Sequence, residues 1–407
     1  MSATPASPAL STQDYINLEE QYGAHNYHPL DIVIDHAEGC WVYDVEGNKF
    51  LDCLSSYSAL NQGHCHPRIL KTLQEQAAKV TLTSRAFRNN QLPKLYKKLN
   101  EISGLSRSLP MNSGAEAVET AMKMARKWGY KVKGIPENQA EIIVFENNFH
   151  GRTISIVSYS TEAQYKDGFG PFTPGFKIVP YDDVDALKNA ITPNTCAVLM
   201  EPIQAEAGIL IPKAGYLKQV AELCKQNNVL FIADEIQTGL GRTGKMFAFQ
   251  HEGIEPDVII VGKALSGGFY PVSAVMANDA VMGVFHPGDH GSTYGGNPLG
   301  CAVACAALDV LQEEDLVAHS AKLGEAFLAK LKTIQSKSLV EVRGKGLLIG
   351  IELNTKARPF CEALKAEGVL CKETHDMVIR FAPPLVISQA DLDWAFDRIK
   401  KVIESFN

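Results

Sequence analysis

Five short apolar runs punctuate the middle of the chain: "EIIVFE" (141–146), "FKIVPY" (176–181), "CAVLMEP" (196–202), "VLFIADE" (229–235) and "DVIIVGK" (257–263). None alternates with polar residues, and helical patterns separate them. Strands of that kind belong in a sheet buried on both faces, and helical crossovers make such strands parallel. The pattern predicts a large α/β domain over residues 58–314, with a mostly parallel central sheet covered by helices. Upstream, "WVYDVEGNKFLD" (41–52) reads as two short strands around a Gly47-Asn48 turn. Residues 1–57 are therefore expected to form an N-terminal arm and a small β segment. From 315 to 407 the order becomes helix, "LVEVRGKGLLIGIEL" (339–353), helix, strand and helix, which predicts a smaller α+β C-terminal domain. The richest apolar stretch, "PLGCAVACAALDVL" (298–311), falls short of the ~20 residues of a membrane helix and contains Asp309, so it reads as a buried core helix.

Composition narrows the class. At roughly 100–200 residues per domain, 407 residues suggest two or three domains. A net charge of −7 points to neither nucleic acid nor a membrane surface as partner. The first lysine or arginine is Lys49, so the N-terminus lacks the basic start of a secretory signal and the arginines of a transit peptide. A soluble cytoplasmic protein with a frayed start is expected. The nine cysteines form no paired framework, which suits reduced thiols.

Ligands of open α/β sheets sit beyond the carboxyl ends of the strands. The polar residues there are Glu201, Asp234, Glu235 and Lys263. Asp234 and Lys263 alone could be a salt bridge at the sheet edge. Ser113-Gly114-Ala115-Glu116 fits a capping box opening a long helix, and most such boxes do nothing else. Together, a lysine, a carboxylate and a helix N-terminus are what pyridoxal phosphate needs. The amine condenses with its aldehyde, the carboxylate pairs with its protonated ring nitrogen, and the helix holds its phosphate. That chemistry also explains a lysine set among Gly262, Ser266, Gly267 and Gly268. Burial and the cofactor's positive centre should both lower the lysine pKa.

"FIADEIQTGLGRTGK" (231–245) followed by "PDVIIVGKALSGG" (256–268) resembles the signature of the class III pyridoxal-phosphate aminotransferases. "NSGAEA" (112–117), "NNFHGRT" (147–153), "EPIQAEAG" (201–208) and "HGSTYGGNPLG" (290–300) are similar to the same family in the same order. The resemblance implies a fold type I transferase. It also implies that Lys263 bonds the cofactor and shuttles a proton, and that Asp234 meets the ring nitrogen. Gln237 would contact the ring's phenolic oxygen, Phe149 would stack on its face, and Gly114 and Ala115 would offer N–H groups to the phosphate. Thr293 would reach the phosphate bound by a second subunit, which implies a homodimer or larger assembly with shared sites.

"QYGAHNYHPL" (21–30) and "LSSYSALNQGHCHP" (54–67) resemble the ornithine-using members of this family. That implies Tyr27 on the substrate's α-amino group, Tyr57 narrowing the pocket, and Arg152 clamping the far carboxylate in a bidentate fork. It also implies that Glu206 masks Arg380 while ornithine is bound and releases it for glutamate. Ala205 stands where many relatives have glycine, which could displace Glu206. Relatives acting on acetylornithine, 4-aminobutyrate or lysine, and a non-catalytic ligand-binding protein on the same scaffold, are the alternatives. "GLGRTG" (239–244) matches a dinucleotide fingerprint but follows the end of its strand without a βαβ unit. "HCH" (64–66) has no second ligand cluster, Cys301 and Cys305 read as small core residues, and Tyr22 as packing of the arm. No metal is expected.

Overall fold

A computed structural model describes residues 10–406. The expectation of a frayed start falls partly on residues 1–9, which lie outside the described residues. The arm opens with the helix Thr12–Tyr22, started by a capping box between Ser11 and Asp14.

The central sheet has seven strands in the order Arg107–Met111, Ser273–Ala277, Val258–Val261, Leu230–Asp234, Thr195–Met200, Glu141–Phe145 and Phe176–Val179. Every pairing among the last five is parallel. Ser273–Ala277 runs antiparallel to both its neighbours. The five apolar runs supply those five parallel strands. The other two are not legible in the sequence: "RSLPM" begins with polar residues and contains a proline, and "SAVMA" is short with a single β-branched residue. Helix Gly114–Trp128 covers one face, burying Ala117, Val118, Ala121, Met122 and Ala125. Helix Tyr216–Gln226 covers the other, with Tyr216, Leu217 and Val220 inside. Each fully buried aliphatic side chain is worth roughly 1.5–3 kcal/mol.

Register decides where the chemistry sits. Asp234, the last residue of its strand, stands opposite Ile260 on a parallel neighbour. The two strands end together, and Asp234 and Lys263 leave the sheet at the same edge.

Two four-stranded sheets complete the fold. Ile34–Glu38, Trp41–Asp44 and Lys49–Asp52 form an antiparallel set, turning at Gly47 (φ +82°), and Val369–Leu370 joins it parallel to Lys49–Asp52. The β segment of the first 57 residues thus shares a sheet with the C-terminal part of the chain. Leu339–Lys345, Leu348–Leu353, Val378–Phe381 and Lys372–Thr374 form the other sheet, all antiparallel. Helix Pro298–Glu313 is buried along almost its whole length.

The "GLGRTG" loop is a packing device. A Cβ on Gly244 would lie 2.8 Å from Ala321 Cα, and one on Gly346 would lie 2.4 Å from the Thr243 carbonyl carbon. Between these contacts the buried Arg242 donates to Leu347 O at 3.0 Å, Pro383 O at 2.6 Å and Asn61 Oδ1 at 2.5 Å. His64 pairs with Asp52 and His66 with Glu314, each at about hydrogen-bond distance, which ties "HCH" into the loop. Among the described residues no cluster of three or more His, Cys, Asp or Glu is placed to hold a metal, and no helix is long and apolar enough to cross a membrane.

Candidate active site

The start of helix Gly114–Trp128 is built from its own sequence. Ser113 Oγ accepts from the Glu116 N–H at 3.2 Å, and the Glu116 carboxylate accepts from the Ser113 N–H at 2.7 Å. Those two reciprocal bonds leave the N–H groups of Gly114 and Ala115 as the helix's free donors. A Cβ on Gly114 would meet Ile236 Cδ1 at 3.0 Å, and one on Gly151 (φ +134°) would meet Ala115 Cβ at 3.0 Å. Both backbones approach too closely for a side chain, so the 147–153 loop lies directly against the helix start.

Beside it, Asp234 is buried with His150 Nδ1 2.6 Å from Oδ2 and the Ile236 N–H donating to Oδ1 at 3.1 Å. Each carboxylate oxygen keeps a further lone pair for another donor. Glu201, at the end of the next strand, accepts from the Phe149 N–H at 2.9 Å and so fixes the loop that carries Phe149 and His150. Burial, reinforced by the nearby Asp234 charge, raises the Glu201 pKa well above the carboxylate range.

Lys263 opens a 3-10 turn, Lys263–Ser266, two residues beyond its strand, and adopts φ +44°. A lysine in the left-handed region is strained, at roughly 1–2 kcal/mol. Burial lowers its pKa below the ordinary lysine value, against the raising influence of Glu206. Of the two causes expected to depress it, desolvation is thus present in the protein alone.

Arg380 is the other buried cation of the crevice, only 1% exposed on the strand Val378–Phe381. Its Nη1 donates to Glu206 Oε1 at 3.0 Å and Gln237 Oε1 at 2.8 Å, and its Nη2 donates to Ser58 Oγ at 2.9 Å. Its Cζ lies 5.9 Å from the Tyr57 ring centroid, within cation–π range. Ala205 is fully buried, and its methyl does not prevent the Glu206–Arg380 pair from closing. Lys372 Nζ, on the adjacent strand, donates to Tyr57 Oη at 3.3 Å.

The remaining candidates stand at the surface of the single chain. Arg152 is exposed, its guanidinium stacked 4.2 Å over Tyr165, whose ring meets Phe149 edge-on at 6.1 Å. Tyr27 is 65% exposed on a segment anchored just after it, where Arg358 donates to His28 O and Pro29 O. Thr293 is exposed next to Ser292, whose hydroxyl accepts from Asn112 Nδ2 at 2.9 Å.

The family model for Aminotransferase class-III matches residues 22–403. The chain belongs to this family. A protein of Brevibacillus brevis named ornithine aminotransferase is 63% identical over 392 residues, covering 96% of this chain and 98% of that protein. An ornithine aminotransferase of Toxoplasma gondii superposes with a TM-score of 0.97 at 45% identity, covering 98% of this chain and 95% of that one, and its structure has partial occupancy of pyridoxal phosphate at the active site. An acetylornithine aminotransferase of Elizabethkingia anophelis is 51% identical with a TM-score of 0.89, covering 97% of this chain and 99% of that one.

The present chain is accordingly a pyridoxal-phosphate-dependent aminotransferase of fold type I. Its residues fit the cofactor on their own chemistry. Gln237 Nε2 is buried without a partner, a donor held ready for an oxygen. The two free helix N–H groups suit a phosphate, and buried Asp234 and a desolvated lysine flank the same sheet edge.

Ser58, His150 and Lys372 have no assigned role in the sequence reading, and Glu201 appears there as a polar strand end without one. His150 lies inside the quoted "NNFHGRT". Ser58 lies inside the quoted "LSSYSALNQGHCHP", next to Tyr57, but its role arises from the turn, and that of Lys372 from a strand pairing.

Proposed function

We propose that this chain is an ornithine δ-aminotransferase, moving the δ-amino group of L-ornithine to 2-oxoglutarate to give glutamate 5-semialdehyde and glutamate. One observation carries the reading: a buried arginine, Arg380, paired with a carboxylate on a separate loop, Glu206. A site that must hold a diamine and then a dicarboxylate needs a cation that can be masked and unmasked. Glu206 masks it for ornithine and swings aside for glutamate, leaving Arg380 to take the α-carboxylate in a bidentate fork. Such a pair adds little net stability, so switching is a physical reason for its presence. The name of the Brevibacillus brevis relative supports the same substrate.

Pyridoxal phosphate, when bound, supplies an electron-withdrawing ring that takes up the electron pair left behind when a carbon loses its proton. Lys263 Nζ would carry that proton, a positioned transfer worth ~10²–10⁴-fold. Asp234, oriented by His150, would hold a proton on the ring nitrogen. Gln237 would donate to the ring oxygen, Phe149 would cover the ring, and Gly114 and Ala115 would hold the phosphate. Tyr27 takes the α-amino group of ornithine, Tyr57 narrows the channel, and Arg152 clamps the distal carboxylate.

The working assembly is a homodimer in which Thr293 reaches the neighbouring copy's phosphate. Exposed Phe87 (73%), Tyr27 and Tyr294 supply apolar surface for it. Nine free cysteines, eight of them buried, suit a reducing cytoplasm. The product carries an aldehyde and an amine on one chain and closes to pyrroline-5-carboxylate, linking arginine and proline metabolism.

The decisive experiment traps the semialdehyde with an aromatic amine while the amino donor is varied. Ornithine should give the coloured adduct at the highest rate. A higher rate with acetylornithine would favour the second reading, to which the Elizabethkingia anophelis structure lends support. A cofactor absorbance band unmoved by any donor would indicate a ligand-binding protein.

A further inference from the structure

Residues Ser55–Ser58 form a left-handed turn without a glycine, with φ of 51°, 48°, 60° and 71°. L-residues avoid this region because Cβ crowds the following carbonyl. Strain of this kind persists where surrounding contacts impose it, and it gathers at functional sites. The imposing contacts are visible. Asp52 Oδ1 accepts from the N–H groups of Leu54 at 2.9 Å and Ser55 at 2.8 Å, Asp52 Oδ2 lies 2.8 Å from His64 Nε2, and the Ala59 N–H donates to Ser55 O at 2.8 Å.

The consequence is that two neighbouring side chains reach one cation. The Tyr57 ring lies 5.9 Å from Arg380 Cζ, and Ser58 Oγ accepts from Arg380 Nη2 at 2.9 Å. In an extended strand these side chains would point to opposite faces. Ser58 and Arg380 are each 1% exposed, so no water competes freely for that bond.

Arg380 Nη1 commits both its hydrogens, to Glu206 and Gln237. When Glu206 withdraws, the guanidinium loses its charged partner and is held by two neutral anchors, Gln237 on Nη1 and Ser58 on Nη2. We infer that Ser58 is a positioning residue for the acidic substrate: its hydroxyl, presented by the strained turn, holds the Arg380 guanidinium in plane for a carboxylate once Glu206 has moved away. With Glu206 in place the guanidinium is fixed from the Nη1 side, and Ser58 contributes little. The asymmetry between the two half-reactions is the signature. The inference rests on the proposed Glu206 gate.

The test uses the holoenzyme with Ser58→Ala, Ser58→Gly and, as a control in the same turn, Ser56→Ala. Glutarate, a dicarboxylate that carries no amino group, is titrated calorimetrically, and each half-reaction is followed by cofactor absorbance in single turnover. A hydrogen bond to a charged group is worth enough that both Ser58 variants should bind glutarate and glutamate about tenfold more weakly, equivalent to ~1.4 kcal/mol. The amino-donor half-reaction should stay within about twofold, since Nη1 remains anchored there. Ser56→Ala should alter neither. Ser58→Gly relieves the left-handed backbone and so folds at least as readily as wild type. A purely structural role would make alanine and glycine differ from each other and affect both halves alike. Equal losses in the two halves, or unchanged glutarate binding, would overturn the inference. A wild type inactive on ornithine overturns the substrate reading alone, because the glutarate arm still decides the role of Ser58.

Discussion

Glu235 is fully buried next to Asp234, accepting from Thr238 Oγ1 at 2.5 Å and from the Phe249 N–H at 3.0 Å. Burial outweighs these bonds and pushes its pKa up to about 7, from 4.5 in an open chain. Between those values the folded protein keeps a proton that the unfolded chain releases. The associated stability is present below about pH 4.5 and is lost as pH rises through about 7, amounting to about 3 kcal/mol. Glu235→Gln should therefore flatten the apoenzyme's unfolding free energy across that window by about that amount, measured by urea titration at several pH values. A slope identical to wild type would contradict it. Glu206→Ala acts on ligand choice instead. With Arg380 permanently unmasked, the ornithine half-reaction should slow by roughly tenfold relative to the glutamate half-reaction, because a buried cation then faces a cationic substrate. Single-turnover absorbance resolves the two halves, and equal effects would remove the gate.

At the scale of elements, the helix Gly114–Trp128 and the turn Ser55–Ser58 show two different relations between sequence and site. The helix start is local: a serine, a glutamate three residues on, and small residues between them dictate the cap and its free donors. Ser113→Ala should cost about 1 kcal/mol in urea unfolding and speed cofactor release on dilution. Loss of stability with unchanged release would mean the cap does not shape the phosphate cradle. The turn is not local at all. Nothing in "SSYS" announces four left-handed residues, since serine and tyrosine tolerate that region poorly and glycine is the usual signal. Asp52 and His64, on either side, decide it. The strands behave alike: five were readable because burial on both faces leaves continuous apolar runs, while Arg107–Met111 and Ser273–Ala277 needed their neighbours to become strands.

For the whole molecule, Arg242 joins three parts of the chain through Asn61, Leu347 and Pro383. Arg242→Met keeps much of the volume and leaves those three acceptors without their donor. At ~1–3 kcal/mol for each buried unpaired group, the loss should be several kcal/mol and visible as a broad drop in melting temperature. A variant as stable as wild type would show that water or repacking replaces the guanidinium. The proposed dimer predicts twice the monomer mass in sedimentation equilibrium, and faster cofactor loss from Thr293→Ala without loss of the dimer.

The order of apolar runs, the capping box and the polar strand ends pointed to the fold class, a phosphate cradle, Asp234 and Lys263, while Gln237, Phe149 and Thr293 came only from the family resemblance. Each of those local signals depends on residues close in sequence, where propensity and periodicity act directly. What only the folded chain decided is how Arg380 is surrounded: Glu206 from one loop, Gln237 from another, and Ser58 and Tyr57 from a turn far away in sequence. Side chains separated by more than a hundred positions meet because parallel strands end at one edge and the C-terminal sheet closes over it. No local preference encodes that meeting, and the proposed choice of substrate rests on it.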